Sequence, residues 1–144
     1  MEDKRFDKEL VKSFVEAARA DLKSAEANLK EGIYNNSIYH SQQAAEKIVK
    51  ALLLIHNIFK ATHIVSPELK KIEKKEEIKR EILNAVKSLE EHWVTSRYPF
   101  RMGKEVWNPV RAFTEEDAKD ALEKAKFVVK EIEKILKEKY GIEV

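Results

Sequence analysis

Apolar residues recur at three- and four-residue spacing in four stretches of this 144-residue chain, the period of a helix buried along one side. The first carries Phe6, Leu10, Phe14, Ala17, Ala18, Leu22, Ala25 and Leu29 and stops at Gly32, a residue suited to the position just past a helix end. The second begins near Asn35 or Asn36, both good N-caps, and runs through Ile38, Ala45, Ile48, Leu52 and Ile55. The third opens at Ser66-Pro67, a capping serine with proline at the first helical position, and continues through Leu69, Ile72, Ile78, Ile82, Val86 and Leu89. The fourth opens at Thr114, with Asp117 in place of the usual glutamate of a capping box, and runs through Ala118, Leu122, Ala125, Val129, Ile132 and Leu136 to Gly141. No stretch reads as a strand. The pattern predicts an all-α protein, a four-helix bundle with antiparallel neighbours, spanning 1–144 as one domain.

Two longer connections separate these stretches, at about residues 56–65 and 93–113. The second is long for a bundle, and long loops in compact domains are often functional. It holds Trp93, Tyr98, Phe100 and Trp107 alongside Arg97, Arg101 and Arg111.

Composition narrows the chemistry. A chain of this length buries roughly 70% of its unfolded surface and needs no metal or disulfide to fold. Cysteine is absent, which removes disulfide frameworks, thiolate zinc sites and cysteine nucleophiles. Twenty-eight basic residues nearly balance 26 acidic ones, so the net charge of +2 makes no global case for nucleic acid. No apolar run approaches the roughly 20 residues of a membrane span, and MEDKRFDKELVKSF has no secretory apolar region. A cytoplasmic protein without membrane contact is expected. Abundant lysine and glutamate also fit a thermophile.

On the second helix, Asn36, His40, Gln43, Lys47 and Lys50 fall within an arc of about 80° at 100° per residue. They form one line of donors. Such a line is either the solvated side of an amphipathic helix or the wall of a cleft. Leu54 lies within the arc, Ala44 and Ala51 flank it, and Glu46 is the helix's only acid. A solvated face more often mixes both signs at i,i+4 spacing, as Glu131, Lys134 and Glu138 do on the fourth helix.

SIYHSQQAAEKIVKALLLIHNI, then ATHIVSPEL, then VTSRYPFR, then FTEEDAKDALEKAKFVVKEIEKIL together resemble the HEPN family, over about residues 10–136. It is a small helical domain whose name records proposed nucleotide binding. The matching positions are Gln42, Gln43, Ala44, Ala45, Glu46, Lys47, Lys50 and Ala51 on the second helix, His63 before the third, and Ser96, Arg97, Tyr98 and Pro99 in the loop. The resemblance implies a four- to five-helix bundle, usually a homodimer. It further implies a companion of a minimal nucleotidyltransferase, either as its substrate-binding subunit or as half of a toxin–antitoxin pair. The family's ribonuclease branch carries an arginine followed after four to six residues by a histidine, and no arginine here meets that spacing. An arginine alone binds phosphate but stays protonated and cannot act as a general base.

The expected function is therefore a non-catalytic nucleotide-binding or accessory domain. Arg97, Arg101 and Lys47 would hold a phosphate, and Gln43 and His40 would bond a base or sugar, with Lys50 and Tyr98 completing the set. Each residue also has an ordinary structural role open to it. A loop arginine often caps a helix, and His40 is as readily a hydrogen-bonded structural histidine. His63 is expected to order its connection, and His56 and His92 to meet helix-end carbonyls. Trp107, Phe113 and Phe127 read as core or interface anchors.

No His-Glu-x-x-His or Glu-x-x-His motif offers a metal site, and three scattered glycines allow no phosphate loop, so no metal or cofactor is expected. The alternatives are a metal-independent endoribonuclease toxin using Arg97 with His40 or His63, and a pure protein-interaction module.

Overall fold

The structure, a computed structural model, describes residues 6–144; the charged positions 2–5 of the N-terminal segment lie outside them. Four long helices make the frame: α1 (Lys8–Lys30), α2 (Tyr34–Ile55), α5 (Arg80–Glu90) and α8 (Glu115–Tyr140). Between them stand α3 (Ser66–Lys71), α4 (Glu73–Glu76), α6 (His92–Thr95), a hairpin of β1 (Phe100–Met102) and β2 (Glu105–Trp107), and α7 (Pro109–Ala112). Side-chain pairs give the directions. Ser37 and His40 of α2 reach Ala25 and Asp21 of α1, Arg19 and Glu26 of α1 reach Glu133 and Lys126 of α8, and Lys124 of α8 reaches Ser88 of α5. Each neighbouring pair is therefore antiparallel, in an up-down-up-down bundle. Parallel α2 and α8 meet across its diagonal. Both carry buried alanines, Ala44, Ala45 and Ala51 on one and Ala118, Ala121 and Ala125 on the other, and small residues let helix axes approach.

Helix ends follow the local chemistry where that chemistry is strong. Asp7 accepts from the Leu10 amide at the start of α1. Thr114 and Asp117 form a reciprocal capping box on α8, and Gly141 ends it at φ +67°. Elsewhere the structure corrects the sequence reading. Helix α2 starts at Tyr34 with Ile33 before it, so neither asparagine caps it. Asn35 instead donates its side-chain amide to the Ser96 carbonyl at 3.0 Å, tying α2 to the far loop.

The third stretch is three helices rather than one. It breaks at Ile72 and again at Glu77, which takes the left-handed φ of +56°. The cause is legible afterwards: Glu73-Lys74-Lys75-Glu76-Glu77 puts no apolar residue between Ile72 and Ile78, and the chain turns so that Glu76 goes inward. The short hairpin, with Gly103 at φ +62° in its turn, is the other departure from the expected absence of strands.

Helix α2 is the central element, touching α1, α5 and α8. Ile38, Ile48, Val49 and Leu52 are wholly buried on it, yet so, almost entirely, are Gln42, Gln43 and Glu46. Among the described residues no helix is long and apolar enough to cross a membrane.

Candidate functional site

The line of donors on α2 divides in two. His40 and Lys47, about 20° apart on the wheel, lean toward α1. There Asp21 receives His40 Nδ1 at 3.0 Å and Lys47 Nζ at 2.6 Å. Burial pushes the Asp21 carboxyl up, but the hydrogen bonds and charges of His40 and Lys47 outweigh it and hold it below its ordinary 3.8. A depressed carboxyl adds stability above its ordinary pKa, and that stability is lost as pH falls through the folded value. Asp21→Asn should therefore lower stability at pH 7 by about 1–2 kcal/mol and by less near pH 3, below the ordinary value. Urea unfolding at the two pH values checks this.

The other half, Gln43 and Lys50 with Tyr39 and Glu46, falls within an arc of about 60° that turns toward the loops. Glu46 is its hub. One carboxylate oxygen accepts from Gln42 Nε2 at 3.0 Å and Gln43 Nε2 at 3.3 Å and lies 3.1 Å from His63 Nδ1; the other lies 3.1 Å from Lys50 Nζ. Gln43 also donates to Gln42 at 2.8 Å. A carboxylate only accepts, so His63 carries its proton on Nδ1 and keeps Nε2 without a partner among the described residues. This ordering of the connection by His63 matches expectation.

The His63 ring stacks on Trp93, centroids 4.1 Å apart, and Trp93 brings in Arg97. The Arg97 guanidinium carbon lies 4.0 Å from the Trp93 centroid, 4.5 Å from that of Tyr98 and 5.4 Å from that of Tyr39 on α2. Such contacts hold a guanidinium flat and in place. Its Nε donates to the Trp93 carbonyl at 3.3 Å, and no carboxylate pairs with it among the described residues. Helix α6 carries Trp93, the turn that follows it carries Arg97 one turn further on, and Ser96 between them is fixed to α2 through Asn35.

The structure thus brings together Gln43, Lys50, Arg97 and Tyr98, and sets His40 and Lys47 to one side on Asp21. Lys47 and Lys50 are not free cations, since each already faces a carboxylate. Arg101 stands apart. It sits opposite Val106 in the hairpin, while the alternate positions Phe100 and Trp107 stack on each other and Trp107 turns to Phe113 and donates to the Thr95 carbonyl. Alternation puts Arg101 on the hairpin's other face, and no polar contact joins it to Arg97 or α2 among the described residues. His56 also departs from expectation: at the end of α2 its Nε2 meets the buried carboxylate of Glu76, not a helix carbonyl. His92 opens α6 with its ring edge-on to Phe113.

Sequence reasoning passed over Glu46, Asp21, Trp93 and Tyr39 as site residues. Two signals were present. Glu46 stands four residues after Gln42, three after Gln43 and four before Lys50, the spacings that meet on a helix. Asp21 interrupts the buried row Ala18, Asp21, Ala25 of α1.

This bundle, with a Gln-Gln-x-x-Glu cluster on its central helix and an Arg-Tyr-Pro loop against it, matches the HEPN domain family over residues 11–135, and the chain belongs to that family. Among curated proteins it is 41% identical over 149 aligned positions to "Putative toxin MJ1304" of Methanocaldococcus jannaschii, covering 99% of this chain and 98% of that one. Among solved structures it is similar to TT1696 from Thermus thermophilus, with a TM-score of 0.78 at 26% identity over 88% of this chain and 98% of that one. It is similar also to ST0689, an archaeal HEPN homologue, with a TM-score of 0.70 at 28% identity over 87% and 97%.

Proposed function

We propose that this chain is a non-catalytic, cytoplasmic HEPN domain that holds the phosphate of a nucleotide at Arg97, as the partner or substrate-binding subunit of a minimal nucleotidyltransferase. The observation that carries this reading is the state of Arg97. Three aromatic rings surround its guanidinium, only Nε is hydrogen-bonded, and no carboxylate neutralises it among the described residues. The terminal nitrogens are left to take a phosphate edge. Tyr98, 53% exposed beside it, offers a face on which a base can stack. Calorimetric titration with the four ribonucleoside triphosphates, with and without a co-expressed nucleotidyltransferase, tests it. Arg97→Ala should weaken saturable binding about 10- to 100-fold, the worth of one charge-assisted contact. Equal affinity in the two proteins, or no saturable heat in either setting, removes the proposal.

A second reading, a metal-independent endoribonuclease toxin, draws on one observation. Arg97 and His63, far apart in sequence, meet on the same indole, with Glu46 behind the imidazole. His63 Nε2 would take a proton from a 2'-hydroxyl while Glu46 stabilised the imidazolium and Arg97 held the phosphate. The name of the Methanocaldococcus relative, a toxin, points the same way. RNA cleavage by purified protein that disappears in both His63→Ala and Arg97→Ala would select it over binding alone.

A further inference from the structure

The register of the hairpin decides which backbone groups its outer edges present. The two-residue turn Gly103-Lys104 makes Met102 and Glu105 a hydrogen-bonded pair, and Phe100 with Trp107 is the next such pair. Arg101 and Val106, opposite each other between them, turn their N–H and C=O groups outward. The two edges differ. On β1 the next outward position is Pro99, which has no N–H, and proline is a common device for closing an edge. On β2 it is Asn108, whose backbone is still extended. The N–H groups of Val106 and Asn108 reach no backbone acceptor among the described residues. Val106 is 54% exposed, so this edge is open to solvent.

Side chains give the hairpin two unlike faces. Phe100, Met102 and Trp107 share one by strand alternation, with the acid Glu105 beside them, and both Phe100 and Met102 are exposed. Arg101 and Val106 share the other, with Lys104 at the turn. Arg101, Lys104 and Arg111 are the cations of residues 98–111, and Glu105 is the only acid there.

An isolated two-stranded hairpin is marginal in water, and a third strand stabilises it. A strand added along β2 takes the outward N–H and C=O groups of Val106 into a new ladder. Acidic side chains on it lie on the side of Arg101 and Lys104, and aliphatic ones on the side of Phe100 and Met102. The same hairpin from another copy carries the same cations and is repelled. We propose that the open edge of β2 receives an extended segment of a different protein, acidic and aliphatic at alternate positions, as the third strand of this sheet. The proposal is independent of what Arg97 holds.

Fluorescence anisotropy with a labelled, end-blocked decapeptide of alternating glutamate and valine tests this on the full chain. Saturable binding in the micromolar range is expected, with slowed hydrogen exchange at the Val106 amide. Val106→Pro removes the outward donor but no bond of the hairpin's own ladder. It should weaken binding about tenfold, the effect of one lost main-chain hydrogen bond, with unchanged circular dichroism. Arg101→Glu with Lys104→Glu should weaken binding at least as much. Two control peptides keep the charge and lose the strand: one with alternate amides N-methylated, one with its glutamates gathered in a block. Both should bind far more weakly than the alternating peptide. Equal binding by either control, or by Val106→Pro, leaves only charge attraction and overturns the proposal, as does an absence of saturable binding. A Val106 amide protected in the free chain and released on dilution gives the edge to a second copy, and overturns it too.

Discussion

Glu46→Ala is expected to lower folding stability by about 3 kcal/mol, the range for removing one partner from a buried, charge-bearing hydrogen-bond cluster. For a chain of this size that corresponds to roughly 6–12 °C in Tm. The loss comes from what stays behind. Gln42 Nε2 remains buried without an acceptor, Gln43 keeps only its bond to Gln42, and the Lys50 ammonium, on a side chain only 16% exposed, keeps its charge without a counter-ion. His63 loses the contact that fixes its ring on Trp93. Glu46→Gln keeps the shape and one acceptor oxygen but removes the charge, and should cost less than the alanine. If Lys50 is the main orphan, Lys50→Met in the Glu46→Ala background should restore part of the loss, which a double-mutant cycle in urea would read. A Glu46→Ala protein as stable as the wild type would mean the cluster is held by solvent and not by Glu46.

That cluster also shows where the sequence was readable and where it was not. Helical period located α1 and α2, and period together with strong caps located α8, because those signals act within a few residues of each other. Thr114 with Asp117 and Gly141 at φ +67° are local events, and they occur where the spacing puts them. The donors on α2 were legible as a line, and the closeness of Arg97 to that helix followed the family pattern. What a helical wheel does not contain is the neighbour. Asp21 draws away His40 and Lys47, and Trp93 gathers His63 and Arg97, through contacts between residues far apart in the chain.

The broken third helix was missed for the same reason. Nothing between Ile72 and Ile78 forbids a helix locally. The turn at Glu77 is stabilised by Glu76 meeting groups from α2 and α8.

Glu76→Ala should be as damaging, at about 3–5 kcal/mol, the range for stripping one partner from a buried charged group. Its carboxylate is 1% exposed and holds three elements together. His56 Nε2 from α2 lies 2.5 Å from it, Lys139 Nζ of α8 at 3.4 Å, and the Tyr140 hydroxyl donates to it. Burial pushes the Glu76 carboxyl up, but the hydrogen bonds of Tyr140 and His56, with the His56 charge and Lys139, bring it below its ordinary 4.5. Tyr140 is pushed up to about 12 by burial and by its bond to Glu76. The two signs bracket a pH window. Glu76, depressed, contributes above about pH 4.5 and loses that contribution as pH falls further; Tyr140, raised, contributes below about pH 10 and loses it as pH climbs through 12. In Glu76→Gln the acid limb should disappear, since the acid group is gone, while the alkaline limb should shrink but persist, since burial still raises Tyr140. Urea midpoints from about pH 3 to 11 read the two limbs separately. An alkaline limb that is undiminished in Glu76→Gln would show that this carboxylate contributes nothing to holding Tyr140.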